Sequence, residues 1–133
     1  MKTQARQGTR APAVELEVPQ TGTAIVKLRG ELDLSSKRCL TRALARASKQ
    51  AAVLVDLSEC TFADSSVVRA LVTASAEVRE RGCRLEVVIP PAANEVHRLA
   101  QLARLADIVP IHESRGAACA SLHPRMSRSV PTT

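Results

Sequence analysis

The sequence is nearly without aromatic residues: Phe62 is its one aromatic side chain, and tryptophan and tyrosine are absent. The core of this chain must therefore be aliphatic, built from valine, leucine, isoleucine and alanine. The scarcity of aromatic rings also argues against binding of single-stranded nucleic acid, because such surfaces stack bases on aromatic side chains.

Long apolar runs are missing as well. No stretch approaches the ~20 continuous apolar residues of a membrane-spanning helix. Residues 1–12 lack the apolar segment of a signal peptide. These absences predict a cytoplasmic protein that makes no membrane contact.

The four cysteines include no C-x-x-C pair, so the sequence indicates neither a zinc site nor a thioredoxin-like redox site. No metal and no cofactor is predicted. In a reducing compartment we expect four buried or half-buried thiols without disulfides. They are Cys39, Cys60, Cys83 and Cys119.

The net charge of +6 resides mostly outside the predicted domain. Five of the six excess charges lie in the two ends of the chain, at Lys2, Arg6, Arg10, Arg125 and Arg128. Residues 13–124 carry 14 basic and 13 acidic side chains, a balance of 14 − 13 = +1. A nucleic-acid-binding domain should carry a basic stripe, and this balance predicts none. We therefore expect no direct nucleic-acid partner.

At 133 residues the chain fits one domain. We predict that domain over residues 13–123, with disordered, polar tails at 1–12 and 124–133. Apolar residues alternate at strand spacing around 14–18 and form short runs at Ala24–Arg29, Ala52–Asp56, Leu85–Ile89 and Val109–Ile111.

Between these predicted strands, apolar residues recur at helical spacing. They predict helices around Leu40–Ala47, Ser65–Arg81, Val96–Ala103 and Arg115–Leu122. The first two strands have a short connection and should form an antiparallel hairpin, whereas strands separated by helices should pair in parallel. The fold class is therefore α/β, with a mixed sheet of about five strands and four helices against it.

Two polar segments follow predicted strands. Gly30-Glu31-Leu32-Asp33 comes after the second strand, and Asp56-Leu57-Ser58-Glu59-Cys60-Thr61-Phe62-Ala63-Asp64-Ser65-Ser66 leads from the third strand into a helix. Binding sites of open α/β sheets collect at the carboxyl ends of strands. Because the two strands are predicted neighbours, we expect Asp33 and Asp64 to lie close together.

These two segments resemble the STAS domain of the bacterial anti-sigma-factor antagonists, and the resemblance runs over residues 14–122. It implies a STAS fold and a domain that binds an anti-sigma factor, often also a serine kinase, and so frees a sigma factor. In this family the kinase phosphorylates the serine after the Asp of the D-S-S motif, which corresponds to Ser65. The resemblance and the strand ends together give the predicted partner-binding residues as Asp33, Asp64, Ser66, Val67 and Arg69.

The residues themselves leave a second interpretation open, because Asp64, Ser65 and Ser66 are also ordinary helix N-cap residues. The family pattern usually continues D-S-S-G, whereas Val67 stands in the glycine position here. We expect the Val67 side chain to be exposed at the binding surface, where it would impede a kinase or fit a partner's pocket. The alternative function is therefore a STAS interaction module that is not phosphorylated, or a nucleotide-sensing module.

Catalysis is not predicted. Ser65 lacks the G-x-S-x-G setting of a hydrolase nucleophile, and a serine nucleophile needs a histidine base within hydrogen-bond reach. The three histidines, His97, His112 and His123, are isolated in the sequence, and we expect surface or cap positions for them. The chain also has neither of the glycine-rich phosphate-binding motifs, so no residue supports nucleotide binding directly.

Overall fold

The computed structural model of this protein describes residues 13–18 and 22–122. It has five strands: β1 (Ala13–Glu17), β2 (Thr23–Leu32), β3 (Ala52–Ala63), β4 (Arg84–Val88) and β5 (Ile111–His112). It has four α-helices: α1 (Lys37–Ala47), α2 (Ser65–Glu80), α3 (Asn94–Leu102) and α4 (Arg115–Leu122). Short 3₁₀ turns precede α1 at Leu34–Ser36 and follow α3 at Leu105–Asp107. The tails predicted at 1–12 and 124–133, and His123, lie outside the described residues.

The five strands form one mixed sheet in the order β1-β2-β3-β4-β5. The β1–β2 pair is antiparallel, and the other three pairs are parallel. The short β1–β2 connection leaves only an antiparallel pairing, whereas each helical crossover returns the chain in the same direction. The predicted α/β fold, with a five-strand mixed sheet and four helices, is confirmed.

The third strand is longer than predicted. The sequence indicated a strand that ends at Asp56, but β3 continues to Ala63 and stays paired with the end of β2. Its register against β2 shifts twice, and each shift inserts one extra residue into β3, as in a β-bulge. Gly30 of β2, beside the second shift, has a φ of 81°, a conformation that side-chain-bearing residues rarely adopt. The bulges break the alternation on which the strand prediction depended.

The sheet has two differently covered faces. Helices α1, α2 and α3 pack on one face over an aliphatic core whose members include Val26, Leu28, Val53, Val55 and Val87. Helix α4 packs on a second, smaller cluster formed with Ile25, Leu54 and Val88. Because successive strand residues point to opposite faces, one run of apolar residues in β3 serves both clusters.

The predicted helical faces are largely confirmed. Leu40, Leu44 and Ala47 of α1 are buried, as are Val68 and Leu71 of α2. Helix α2 ends as predicted, with Gly82 just beyond it at a φ of 76°.

The cysteine prediction holds for three of the four residues. Cys60 is buried, Cys83 and Cys119 are half-buried, but Cys39 is exposed on α1, because it lies outside the arc of that helix that carries the buried residues Leu40, Leu44 and Ala47. All four thiols are free. In the described ranges, no helix is long and apolar enough to cross a membrane.

Candidate partner-binding edge

The two polar segments singled out in the sequence meet at one end of the sheet. The last residues of β2 and β3, Leu32 and Ala63, are paired in parallel register. The backbone N–H of Asp64 then donates to the carbonyl oxygen of Leu32 at 3.2 Å. Asp33 and Asp64 therefore leave the sheet side by side. We call the surface formed by Asp33, Phe62, Asp64, Ser65 and Arg69 the edge.

Asp64 caps helix α2. Its backbone is extended, with φ −96° and ψ −179°, and its Oδ1 accepts a hydrogen bond from the backbone N–H of Ser66 at 2.9 Å. The hydroxyl of Ser66 donates to the same oxygen. Asp64 and Ser66 therefore form a local polar unit that fixes the start of the helix, as the N-cap interpretation requires.

Ser65 is placed differently from Ser66. It occupies the first position of α2, its side chain is exposed, and its hydroxyl has no hydrogen-bond partner among residues 13–18 and 22–122. The unpaired N–H groups and the dipole of a helix start favour an anion such as phosphate. The geometry thus leaves one of the two adjacent serines available and engages the other.

The same aspartate–serine unit occurs twice more. The Oδ1 of Asp33 accepts from the backbone N–H of Ser35 at 2.9 Å and from the Ser35 hydroxyl. The Oδ1 of Asp56 accepts in the same way from Ser58. In each case the serine two positions after the aspartate donates its hydroxyl, so these three serines are held by local bonds.

The prediction that Val67 is exposed at the binding surface is wrong. Val67 is 1% exposed, and it begins the buried face of α2 that continues through Leu71, Ala74 and Val78. These positions have the i, i+4, i+7 and i+11 spacing of a single helical face, so the sequence did contain the signal. Arg69, also predicted at this surface, is exposed, and it lies one turn after Ser65 on the same side of the helix.

Sequence reasoning missed Phe62 as a surface residue. Phe62, opposite Glu31 in the β2–β3 ladder, is 43% exposed. An exposed aromatic ring is costly to leave in water and is the residue type that dominates the energetics of protein interfaces. The prediction ended that strand six residues earlier, and the bulge at Thr61 places Phe62 on the opposite face from buried Cys60, which simple alternation would not have predicted.

Cys60 lies just beneath the edge. Its side chain is buried, and its Sγ lies 3.3 Å from the carbonyl oxygen of Phe62. Burial raises the pKa of the Cys60 thiol to about 11, because the thiolate would lose its hydration. Cys60 is therefore a packing residue and a poor nucleophile.

A separate polar cluster lies under α4, on the other face of the sheet. Asp56 is 3% exposed, and its Oδ2 accepts from Nε of Arg115 at 2.6 Å. Burial would raise the pKa of Asp56, but the hydrogen bonds from Ser58 and Arg115 outweigh it and lower that pKa. The cluster therefore holds a buried carboxylate in its charged form and ties α4 to β3.

The expectation of isolated histidines is also corrected here. Nε2 of His112 lies 2.6 Å from Oε1 of the buried Glu86, because β5 pairs with β4 and brings the two side chains to the α4 face. Nε2 of His97 lies 2.9 Å from the carbonyl oxygen of Pro90. The half-buried His97 therefore connects α3 to the loop that follows β4. Within the part of the chain that the structure describes, no group of three histidine, cysteine or acidic side chains could hold a metal ion.

Comparison with known proteins relates this geometry to a family. The family model described as "Mlab, STAS domain" matches residues 17–110. An anti-sigma factor antagonist from Mycobacterium paratuberculosis has a similar structure, with a TM-score of 0.72 and 20% identity over 84% of this chain and 94% of that one. The anti-sigma factor antagonist SpoIIAA in its unphosphorylated form gives a TM-score of 0.70 and 19% identity over 84% of this chain and 97% of that one.

The same architecture also occurs in a different functional setting. A sulfate transporter family protein from Wolinella succinogenes matches with a TM-score of 0.66 and 13% identity, over 84% of this chain and 93% of that one. At these identities the structural likeness establishes the fold alone. No curated protein sequence matches the chain significantly.

Proposed function

The chain belongs to the STAS domain family, and on that basis we propose that it is an anti-sigma-factor antagonist, which binds an anti-sigma factor and so frees a sigma factor. The observation that carries this proposal is the exposed Ser65 at the start of α2, with no partner for its hydroxyl in the described residues. Two proteins of similar structure are described as anti-sigma factor antagonists, which supports the assignment.

We propose that the edge is the surface that contacts the anti-sigma factor. It combines an exposed aromatic ring, two carboxylates and one exposed arginine at the carboxyl end of the parallel strands. A central apolar anchor with a charged rim is typical of protein interfaces. In this proposal Phe62 is the exposed apolar residue of the interface, a role that the sequence prediction had given to Val67. Ser66 contributes indirectly, by holding Asp64 in its capping position.

We propose as the switch the phosphorylation of Ser65 by a serine kinase, the activity that anti-sigma factors bound by this family often carry. A phosphoserine adds about −1.5 to −2 charges. Between Asp33 and Asp64, that charge would oppose an acidic or apolar partner surface and end the complex. Burial of Val67 supports this proposal, since a side chain directed into the core does not cover the helix start where a kinase must approach.

The test is capture of an anti-sigma factor from the source organism, with binding measured for wild type, Ser65→Ala and Ser65→Asp. We expect Ser65→Ala to bind as wild type and Ser65→Asp to bind poorly. Ala76→Asp is the matched control, because Ala76 is exposed on the same side of α2 three turns away. Equal binding by Ser65→Asp and wild type would refute the switch, and capture of no anti-sigma factor by any variant would refute the function.

The kinase reaction gives a direct readout on the serine. After incubation with the cognate kinase and ATP, peptide mass spectrometry should place the phosphate on Ser65. Ser66 should stay unmodified, because its hydroxyl is donated to Asp64. Phosphate on neither serine would favour the alternative, an interaction module without a phosphoswitch. In either case we propose a cytoplasmic binding protein and no enzymatic activity.

A further inference from the structure

Helix α1 concentrates positive charge that is not neutralised. The 22 residues from 34 to 55 contain five cations and no acidic residue, although residues 13–124 as a whole are nearly balanced. All five are exposed, and none has an ion-pair partner within the described ranges. They are Lys37, Arg38, Arg42, Arg46 and Lys49. The prediction of a domain without a basic stripe is therefore wrong, because the overall balance concealed a local segregation of charge.

Five cations outside α1 are ion-paired, whereas Arg69, Arg79 and Arg98 have no ion pair among the described residues. Lys27 is paired with Glu59, Arg29 with Glu15, and Arg84 with Glu86. Arg104 and Arg115 are likewise ion-paired, with Asp107 and Asp56. The cations on the strands are thus ion-paired, whereas no cation of α1 has an ion-pair partner among the described residues.

The arrangement works against the stability of α1 itself. Lys37 and Arg38 lie in the first turn, where the helix dipole disfavours cations, and that turn has no acidic residue and no side-chain cap. Arg38, Arg42 and Arg46 follow one another at i, i+4 spacing, where like charges repel. A helix that breaks several local rules at once is expected where the sequence serves binding.

A groove runs beside this stripe. Helices α1 and α2 pack against each other, and a groove of about 370 Å³ lies between them. Its buried lining residues are Leu44 and Ala74, and the small side chains of Thr41, Ala45 and Thr73 line it closer to solvent. Its charged lining residues are Lys37, Arg69 and the single acidic residue Glu77. Arg69 belongs to the edge, so the groove and the edge share a boundary.

We propose that the α1 stripe and the α1–α2 groove bind an acidic α-helical segment of a partner protein; this rests on the proposed function in that it names the chemistry of the segment an anti-sigma factor would place there. The stripe from Arg38 to Arg46 covers nine residues, or about 12 Å of helix, which matches two turns of an antiparallel or parallel helix. The small lining residues allow close approach of a helix, and the five exposed cations of the stripe outnumber the one acidic residue of the groove, Glu77, and so supply charge complementarity.

Nucleic acid and membrane fit this surface less well. The exposed positions of α1 carry no aromatic ring to stack on bases and no large apolar side chain to enter a bilayer. A partner helix needs neither, since its small apolar side chains would pack into the groove and its acidic side chains would pair with the cations of the stripe. The ligand that fits both the stripe and the groove is therefore an acidic helical peptide.

The test is selection of peptides of about 16 residues from a random displayed library on the wild-type protein, followed by affinity measurement with the enriched sequences. We expect enrichment of acidic peptides with apolar residues at i, i+4 spacing. The Arg38→Glu/Arg42→Glu variant should bind them at least about tenfold more weakly, with affinity that falls as salt rises. The matched control is Arg79→Glu/Arg98→Glu, which reverses two exposed cations outside α1 that have no ion-pair partner within 13–18 and 22–122, and it should bind within about twofold of wild type.

Enrichment of neutral or basic peptides, or equal loss in both double variants, would overturn the proposal. Vesicles containing phosphatidylglycerol and a DNA duplex are tested in parallel. Binding of either that requires Arg38 and Arg42, without any selected acidic peptide, would assign the stripe to a membrane or to nucleic acid instead. Circular dichroism confirms that both variants remain folded. Because the selection uses no anti-sigma factor, its failure and the failure of the Ser65 test are separate results.

Discussion

Replacing Arg115 with alanine removes the charged hydrogen bond that ties α4 to β3. The Nε of Arg115 lies 2.6 Å from Oδ2 of Asp56, and the carboxylate is 3% exposed. Removing one partner of a buried pair costs about 3–5 kcal/mol, because the other charge is left buried and unpaired. Asp56 keeps two hydrogen bonds from Ser58, and the Arg115 side chain is 37% exposed, so we expect the lower end, about 3 kcal/mol.

Urea unfolding followed by far-ultraviolet circular dichroism is the suitable assay, since the chain has no tryptophan or tyrosine for fluorescence. In thermal unfolding, the same loss corresponds to a midpoint about 10 °C lower. Arg104→Ala is the control. Arg104 and its partner Asp107 are 80% and 62% exposed, so breaking that ion pair should cost less than about 0.5 kcal/mol.

The pH dependence tests the cause of the effect. The pKa of Asp56 in the folded state is lower than its ordinary value of 3.8, so the pair contributes stability above that value and loses it as the pH falls through the folded-state pKa. The difference between wild type and Arg115→Ala should therefore be largest at neutral pH and shrink in acid. A loss under about 0.5 kcal/mol, or one that is the same at neutral and acidic pH, would refute this reasoning.

Three further predictions concern packing and reactivity. Leu71→Ala should cost about 2–5 kcal/mol in urea unfolding, and a loss under about 0.5 kcal/mol would show that the α2 core face is wrongly assigned. Val67→Arg should destabilise the domain by more than about 3 kcal/mol, because it buries a charge, whereas Arg69→Glu should leave the thermal midpoint nearly unchanged; similar midpoints for the two variants would contradict the burial of Val67. At mildly alkaline pH, alkylation of the native protein measured by mass spectrometry should modify the exposed Cys39 long before the buried Cys60, whose pKa is raised to about 11, and equal rates would refute that burial.

The fold was predictable because its signals are local. Periodicity alone placed the face of α1 from Leu40 to Ala47 and the end of α2 before Gly82. The second half of β3 was not predictable in the same way, since bulges at Leu57–Ser58 and at Thr61 disrupt the two-residue period and only pairing with β2 keeps those residues extended. That missing segment is also why the exposure of Phe62 went unnoticed.

The edge was predictable only in part, for a different reason. The carboxyl-end rule brought Asp33 and Asp64 together, and the structure agrees. The exposure of Val67 was wrongly inferred because it was taken from the family pattern at one position instead of from the helical period through Leu71 and Val78. The α1 stripe was missed because charge was summed over the domain, and a sum carries no information about which helix bears it.

The repeated aspartate–serine unit has a consequence for how a modifying enzyme would discriminate among hydroxyl groups. A kinase must take a hydroxyl into its own active site, and the hydroxyls of Ser35, Ser58 and Ser66 are each already donated to an aspartate two positions earlier. Ser65 directly follows its aspartate, so the same geometry cannot retain it. The three hydrogen-bonded serines therefore differ from Ser65 by one position relative to the aspartate. Moving the aspartate by one position would change which serine hydroxyl is hydrogen-bonded and which is available to a kinase.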